Sequence, residues 1–191
     1  MVCMGTSCSY SPGMFMTEDN YLLGEPEPSL HTYAMTKRML LLGLQSIQQQ
    51  YGLKWLYFIP STLYGPGFEL DDNHFIFDFI RNCYNAKESG ELWQLWGDGE
   101  QRRELIYVED AVDAMINLLS YDNEVFNLGS GQDYAINEFA QKVCEIYDYD
   151  YSSLGRDMTK YVGVREKKID TAKVMSYINN KAFLKTHLEE G

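Results

Sequence analysis

The run Leu53-Lys-Trp-Leu-Tyr-Phe-Ile-Pro60 constrains this chain more than any other feature, because a segment so dominated by apolar and aromatic side chains reads as a buried strand. A helix precedes it: apolar residues at Met35, Met39, Leu40, Leu42, Leu44 and Ile47 keep helical spacing from about His31 to Tyr51, and Gly52 stops the run. Upstream, MVCMGTSC at 1–8 reads as a short buried strand entering a Thr-Ser-Cys turn. Downstream, helical spacing returns at His74, Phe75, Ile76, Phe79, Ile80 and Cys83. Short strands are then expected at 91–96 and 104–108, a helix over Glu109–Ser120, a strand at 124–129 and a helix over Ala135–Tyr147. Strand and helix alternating with connections of crossover length predict an α/β domain built on a parallel sheet. The Pro-, Gly-, Glu- and Asn-rich stretch from 10 to 30 is longer than compact domains usually keep without a use, and is long enough to cover a site.

With 191 residues, the chain has room for one domain or part of one. Lys and Arg number 16 against 28 Asp and Glu, and the net charge of −12 repels nucleic-acid phosphates and an anionic membrane surface alike. No nucleic-acid or membrane partner is expected. No apolar stretch approaches the roughly 20 residues that cross a bilayer, and the first residues carry no export signal, so a cytoplasmic protein is predicted. Cysteines at 3, 8, 83 and 144 form no Cys-x-x-Cys pair and no zinc spacing; reduced thiols and no metal follow.

Tyr33-Ala-Met-Thr-Lys37 opens the first long helix, where four-residue spacing puts phenol and ammonium on one face. A cation beside a tyrosine favours the phenolate, which lets the group give or take a proton as hydride chemistry on a carbonyl requires. A bare Tyr-x-x-x-Lys is more often two residues packed on a helix surface, and its context decides. A strand ending in Gly5-Thr6-Ser7-Cys8-Ser9-Tyr10 lies upstream, and PSTLYGPG at 60–67 follows the second strand. Further landmarks come in order: WGDGEQRRELIYVEDA at 96–111 and FNLGSG at 126–131.

In these motifs the chain resembles the extended short-chain dehydrogenase/reductase family, the NAD-dependent epimerases and dehydratases, over nearly its whole length. The resemblance implies a Rossmann-like parallel sheet, the C-terminal part of a nucleotide-binding domain, with a smaller α/β substrate-binding region. About 1–63 is expected to be the second half of the Rossmann core, and about 64–191 mainly the substrate-binding region with returning strands. Within the family the likeness is greatest to the GDP-L-fucose synthases, which epimerise a GDP-4-keto-6-deoxymannose at two carbons and reduce its ketone with NADPH. Cys8 and His74 fall where those enzymes have their acid/base cysteine and histidine. Dehydratases have an Asp-Glu pair where Ser7-Cys8 stands here, which disfavours dehydration.

The resemblance therefore implies Thr6, Cys8, Tyr33, Lys37 and His74 as catalytic residues. It implies Tyr33, Lys37, Pro60, Leu63 and His74 at the cofactor, NADP(H) rather than NAD(H). Arg81, Trp96, Arg103 and Lys167 are implied at a nucleotide-sugar substrate, GDP-linked, since arginine's planar fork suits a diphosphate. The plain alternative for Arg102 and Arg103 is a solvated pair balancing nearby acids. A homodimer is expected of the full-length enzyme.

The chain also departs from the family. None of its 15 glycines forms Gly-x-Gly-x-x-Gly or Gly-x-x-Gly-x-x-Gly, the turn that cradles a dinucleotide's phosphates. A C-terminal fragment is the expectation, ending early at Glu189-Glu190-Gly191 without the family's closing helix. Thr62 replaces an Asn, Tyr161-Val162-Gly163 a Pro-Asp-Gly, and the loop before His74 is short and acidic (ELDDN). Two other readings stay open: an epimerase without net redox change, and an inactive nucleotide-sugar-binding fragment.

Overall fold

A computed structural model describes residues 1–67 and 74–178. The acidic loop at 69–73 and the chain end at 189–191 lie outside the described residues. In chain order the elements are β1 (Val2–Met4), α1 (His31–Tyr51), β2 (Leu56–Pro60), β3 (Thr62–Tyr64), α2 (Phe75–Ser89), β4 (Gln94–Trp96) and β5 (Arg102–Tyr107). They continue with α3 (Val108–Asn117), β6 (Glu124–Leu128), β7 (Asp133–Ala135), α4 (Ile136–Tyr147), β8 (Gly155–Asp157), β9 (Glu166–Lys167) and α5 (Ala172–Tyr177).

Two compact units are formed. The first comprises Met1–Leu63, Glu104–Gln132 and Lys168–Gly191. At its centre β1, β2 and β6 lie side by side and parallel, with Val2 opposite Leu56 and Leu56 opposite Glu124. The apolar run of β2 is explained by burial on both faces. Leu56 and Phe58 join a core with Phe126, Leu128, Ala111, Ala114, Leu118 and Val174, which packs α3 and α5 on that side. Tyr57 and Ile59 point to the opposite core with Tyr10, Tyr21, Leu41, Leu44 and Trp55, which packs α1. Period-two alternation sends neighbouring side chains to different layers, so a strand with helices on both faces has no polar side.

α1 ends where Gly52 takes the left-handed conformation (φ 68°) and donates its N–H to the Gln48 carbonyl. The first strand is shorter than the sequence indicates. Thr6 leaves it and caps a 3-10 turn at Ser7–Ser9, its Oγ1 accepting from the Cys8 N–H at 3.2 Å. The 10–30 stretch is a loop with 3-10 turns at Glu18–Asn20 and Pro28–Leu30. Fully buried Asn127 on β6 clamps it: Nδ2 donates to the Met16 carbonyl, the backbone N–H to Glu18 Oε1, and Oδ1 accepts from the Tyr10 hydroxyl at 2.6 Å.

The second unit comprises Tyr64–Arg103 and Asp133–Lys167. Its core is aromatic, with Phe75 packed edge-on against Phe79 and Phe139, and Phe79 against Trp93. Buried Cys83 on α2 and Cys144 on α4 meet there. β4 pairs with β8 in parallel, and the first residues of β5 pair with β9, Arg103 opposite Lys167. β8, β9, β3, β7 and α5 are absent from the sequence reading; the four strands are two or three residues long, too short to show a hydrophobic period.

Candidate active site

Six of the residues singled out in the sequence belong to the first unit: Thr6, Cys8, Tyr33, Lys37, Pro60 and Leu63. α1 presents Tyr33 and Lys37 one turn apart, and the Lys37 Nζ lies 5.9 Å from the Tyr33 ring centroid. The same Nζ donates to the Met4 carbonyl at 3.0 Å, which ties the helix to the end of β1, two residues before Thr6. Tyr33 is half exposed, a phenol open to reaction; Thr6 is buried, with its oxygen already accepting the cap bond. A hydroxyl in that state keeps its own O–H to donate. Cys8 sits half-buried in the middle of the 3-10 turn. Pro60 ends β2 and Leu63 lies on β3. Tyr10, four residues after Thr6, is a structural partner of Asn127 rather than an exposed group, and burial holds its phenol far above the ordinary range.

The remaining five belong to the second unit: His74, Arg81, Trp96, Arg103 and Lys167. His74 precedes α2 as its N-cap residue, exposed, its carbonyl accepting from Phe77 and Asp78. Arg81, Trp96 and Arg103 all line one cavity of about 650 Å³ in this unit. Lys167 is not among its lining residues; it stands beside Arg103 in the β5–β9 pair.

Within the cavity, Arg81 is ion-paired with Asp78 one helical turn away. Trp96 is 58% exposed, with the Lys160 Nζ 5.5 Å from its ring centroid, an open aromatic platform with a cation on it. Arg103 donates through Nη1 to the carbonyls of Arg102 (2.8 Å) and Val164 (2.9 Å), and through Nη2 to Val162 (3.1 Å). It thereby shapes the 162–164 segment that forms part of the wall. Its neighbour Arg102 is the one that balances acids: Nε meets Asp133 at 2.6 Å and Nη1 lies 3.5 Å from Glu138, and the Asp133 bond raises its pKa further. The solvated-pair reading thus fits Arg102.

Sequence reasoning missed Asp78, Asn82 and Gln101 in the cavity lining, because a polar residue on a helix or turn carries no local sign that it faces a pocket. It also missed Tyr21 and Tyr57, whose hydroxyls meet beneath the Thr6 turn. Among the described residues, no group of three or more His, Cys, Asp or Glu is placed to hold a metal ion, and no helix is long and apolar enough to cross a membrane.

Comparison with known proteins bears on what this arrangement is. The profile of the NAD dependent epimerase/dehydratase family matches residues 1–129. The chain belongs to this family. Among epimerase/dehydratase relatives, the GDP-L-fucose synthase of Sinorhizobium fredii is 30% identical over 184 residues, covering 92% of this chain and 58% of its own length. The GDP-L-colitose synthase of Yersinia pseudotuberculosis is 34% identical over 176 residues, 87% of this chain and 57% of that protein. Among solved structures, a GDP-L-fucose synthetase from Naegleria fowleri bound to NADP superposes with a TM-score of 0.87 at 22% identity, covering 98% of this chain and 62% of that one. The chain spans less than two thirds of the length of these relatives.

Proposed function

We propose that this chain is part of an NADPH-dependent nucleotide-sugar epimerase/reductase of the GDP-L-fucose synthase type, acting on a GDP-4-keto-6-deoxyhexose or a related sugar. The observation that carries the reading is the Tyr33–Lys37 pair on one face of α1, with the Lys37 Nζ held by the Met4 carbonyl next to the Thr6 turn. Relatives named as GDP-L-fucose and GDP-L-colitose synthases support the substrate class.

NADPH, when bound, supplies the hydride. Tyr33 and Lys37 fit the nicotinamide-ribose end of such a cofactor, a half-exposed phenol and an ammonium one turn apart, whereas no Gly-x-Gly-x-x-Gly in this chain offers a cradle for the pyrophosphate. Pro60, Leu63 and His74 are assigned to the same cofactor. Thr6 donates its O–H to the sugar carbonyl oxygen, and Tyr33 passes its phenolic proton to that oxygen as the ketone becomes an alcohol. Lys37, a fixed positive charge, stabilises the phenolate left behind. For epimerisation, one of Cys8 and His74 removes a carbon-bound proton beside the ketone and the other returns one on the opposite face, proton transfers of a kind that thiols and imidazoles carry out. Arg81, Trp96 and Arg103 receive the nucleotide and its diphosphate in the second unit's cavity, with Lys167 adding charge nearby.

The test is NADPH absorbance when the full-length protein meets a GDP-4-keto-6-deoxyhexose. Steady consumption is expected. Sugar turnover with no net loss of NADPH identifies an epimerase without redox change instead, and GDP binding without NADPH binding by this chain alone identifies an inactive nucleotide-sugar-binding fragment. Solvent deuterium uptake into the sugar should fall in Cys8→Ser and His74→Asn; uptake at the wild-type rate in both removes them from the scheme.

A further inference from the structure

Two phenols that the scheme above does not use lie directly under the reactive turn. Tyr21 and Tyr57 are both fully buried. The Tyr21 hydroxyl donates to Ser9 Oγ at 3.0 Å, accepts from the Thr6 N–H at 3.4 Å and touches the Tyr57 hydroxyl at 3.1 Å. The Tyr57 hydroxyl donates to the backbone carbonyl of Lys37 at 2.7 Å. Ser9 Oγ in turn donates to the carbonyl of Ala34 at 3.1 Å. Every branch ends on a residue next to the reaction: Thr6 itself, Lys37 itself, or Ala34 beside Tyr33.

We infer that the Tyr21 and Tyr57 hydroxyls are positioning groups that hold the Thr6 turn in register with Tyr33 and Lys37 on α1, an inference that rests on the reductase reading. Packing alone does not call for the oxygens. The two rings meet edge-on with centroids 5.7 Å apart, an arrangement that phenylalanines fill equally well. A buried hydroxyl is costly unless bonded, so its retention here buys orientation, each oxygen being committed to a backbone or side-chain group of the site. Gly5, between Met4 and Thr6, is part of the same fit. A Cβ added there would lie 2.5 Å from Tyr57 Cε1 and 2.8 Å from each of the two phenolic oxygens, so the strand end leaves no room for a side chain above the hydroxyls. Arg38 adds a brace from α1, with Nε donating to the Ser9 carbonyl at 3.0 Å and Nη1 to the Gly24 carbonyl at 2.7 Å.

The experiment uses the full-length protein with Tyr21→Phe, Tyr57→Phe and, as control, Tyr33→Phe, assayed with a GDP-4-keto-6-deoxyhexose and with NADPH or its C4-deuterated form. In both buried variants kcat is expected to fall about tenfold with the sugar KM unchanged and with a larger deuterium isotope effect, as misalignment slows hydride transfer rather than binding. Amide exchange at Thr6 should quicken in Tyr21→Phe, a readout independent of activity. Wild-type kcat and isotope effect in both buried variants, with Tyr33→Phe inactive, overturn the inference and leave the reductase reading standing. Wild-type reduction by Tyr33→Phe overturns the reading and the inference together. Should Tyr57→Phe prove unstable, Tyr21→Phe alone decides between these results.

Discussion

The Lys37 ammonium stands 5.9 Å from the centre of the Tyr33 ring and 3.0 Å from the Met4 carbonyl oxygen. Four-residue helical spacing accounts for the first distance, and the second fixes a long, flexible side chain that would otherwise sample many rotamers. The result is a positive charge of defined place beside an exposed phenol.

Arg103 and Arg102 are adjacent in sequence and opposite in use, one shaping the cavity wall through backbone carbonyls and the other paired with Asp133. GDP titrated calorimetrically into the full-length protein is expected to bind Arg103→Ala at least about tenfold more weakly, the order expected when a charged hydrogen-bonding group is lost. Arg102→Ala should bind within about twofold of wild type, since Arg102 is not among the residues lining the cavity. Equal losses in the two variants would contradict the assignment.

Glu18 gives the stability a pH dependence of definite sign. Burial raises its carboxyl pKa, against the opposing hydrogen bond from Asn127 and the Lys173 charge. The folded state therefore binds the proton more tightly than the unfolded chain, so stability is greatest below the unfolded carboxyl's pKa and falls as pH rises through the folded one. Glu18→Gln keeps an acceptor for the Asn127 N–H and removes the buried charge. Its melting temperature at neutral pH is expected to exceed wild type by about 2–4 °C, with the gap closing in acid. A lower melting temperature at neutral pH would refute this.

Cys83 and Cys144 face each other between α2 and α4, and burial, with the neighbouring thiol, pushes Cys144 up to about 12. Burial also raises Cys83. Both thiols are therefore expected to resist iodoacetamide in the folded protein at mildly alkaline pH and to react only after denaturation. Peptide mapping of the alkylated protein reads this; rapid labelling of either residue under native conditions would contradict the packing.

How much of this was legible in the sequence depends on where each residue's partners lie. The β2 run reads correctly because Leu56 and Phe58 fill one core while Tyr57 and Ile59 fill the other. α1 reads correctly as a helix stopped by Gly52, but its buried face is Ala34, Arg38, Leu41 and Leu44, whereas Met39, Leu40, Leu42 and Ile47 of the apolar run are exposed. β8 (Gly-Arg-Asp) and β9 (Glu-Lys) do not, because pairing with β4 and β5 makes them strands, not their own side chains. Thr6 falls at the predicted turn, yet its role as a cap is visible only in three dimensions. Tyr21 sits in what reads as a surface loop, and its burial comes from Ser9 and Tyr57, which no local window contains. In the cavity, Arg81, Trp96 and Arg103 came from motif likeness, while Asp78 and Asn82 had no motif to mark them.

The account stands on a phenol that protonates a ketone oxygen as hydride arrives. Its most direct test is the rate of NADPH oxidation by the full-length protein with a GDP-4-keto-6-deoxyhexose, wild type against Tyr33→Phe, with GDP affinity measured in parallel. The expected result is a loss of about 10²–10⁴ in rate with GDP binding retained. Reduction by Tyr33→Phe at the wild-type rate would contradict it.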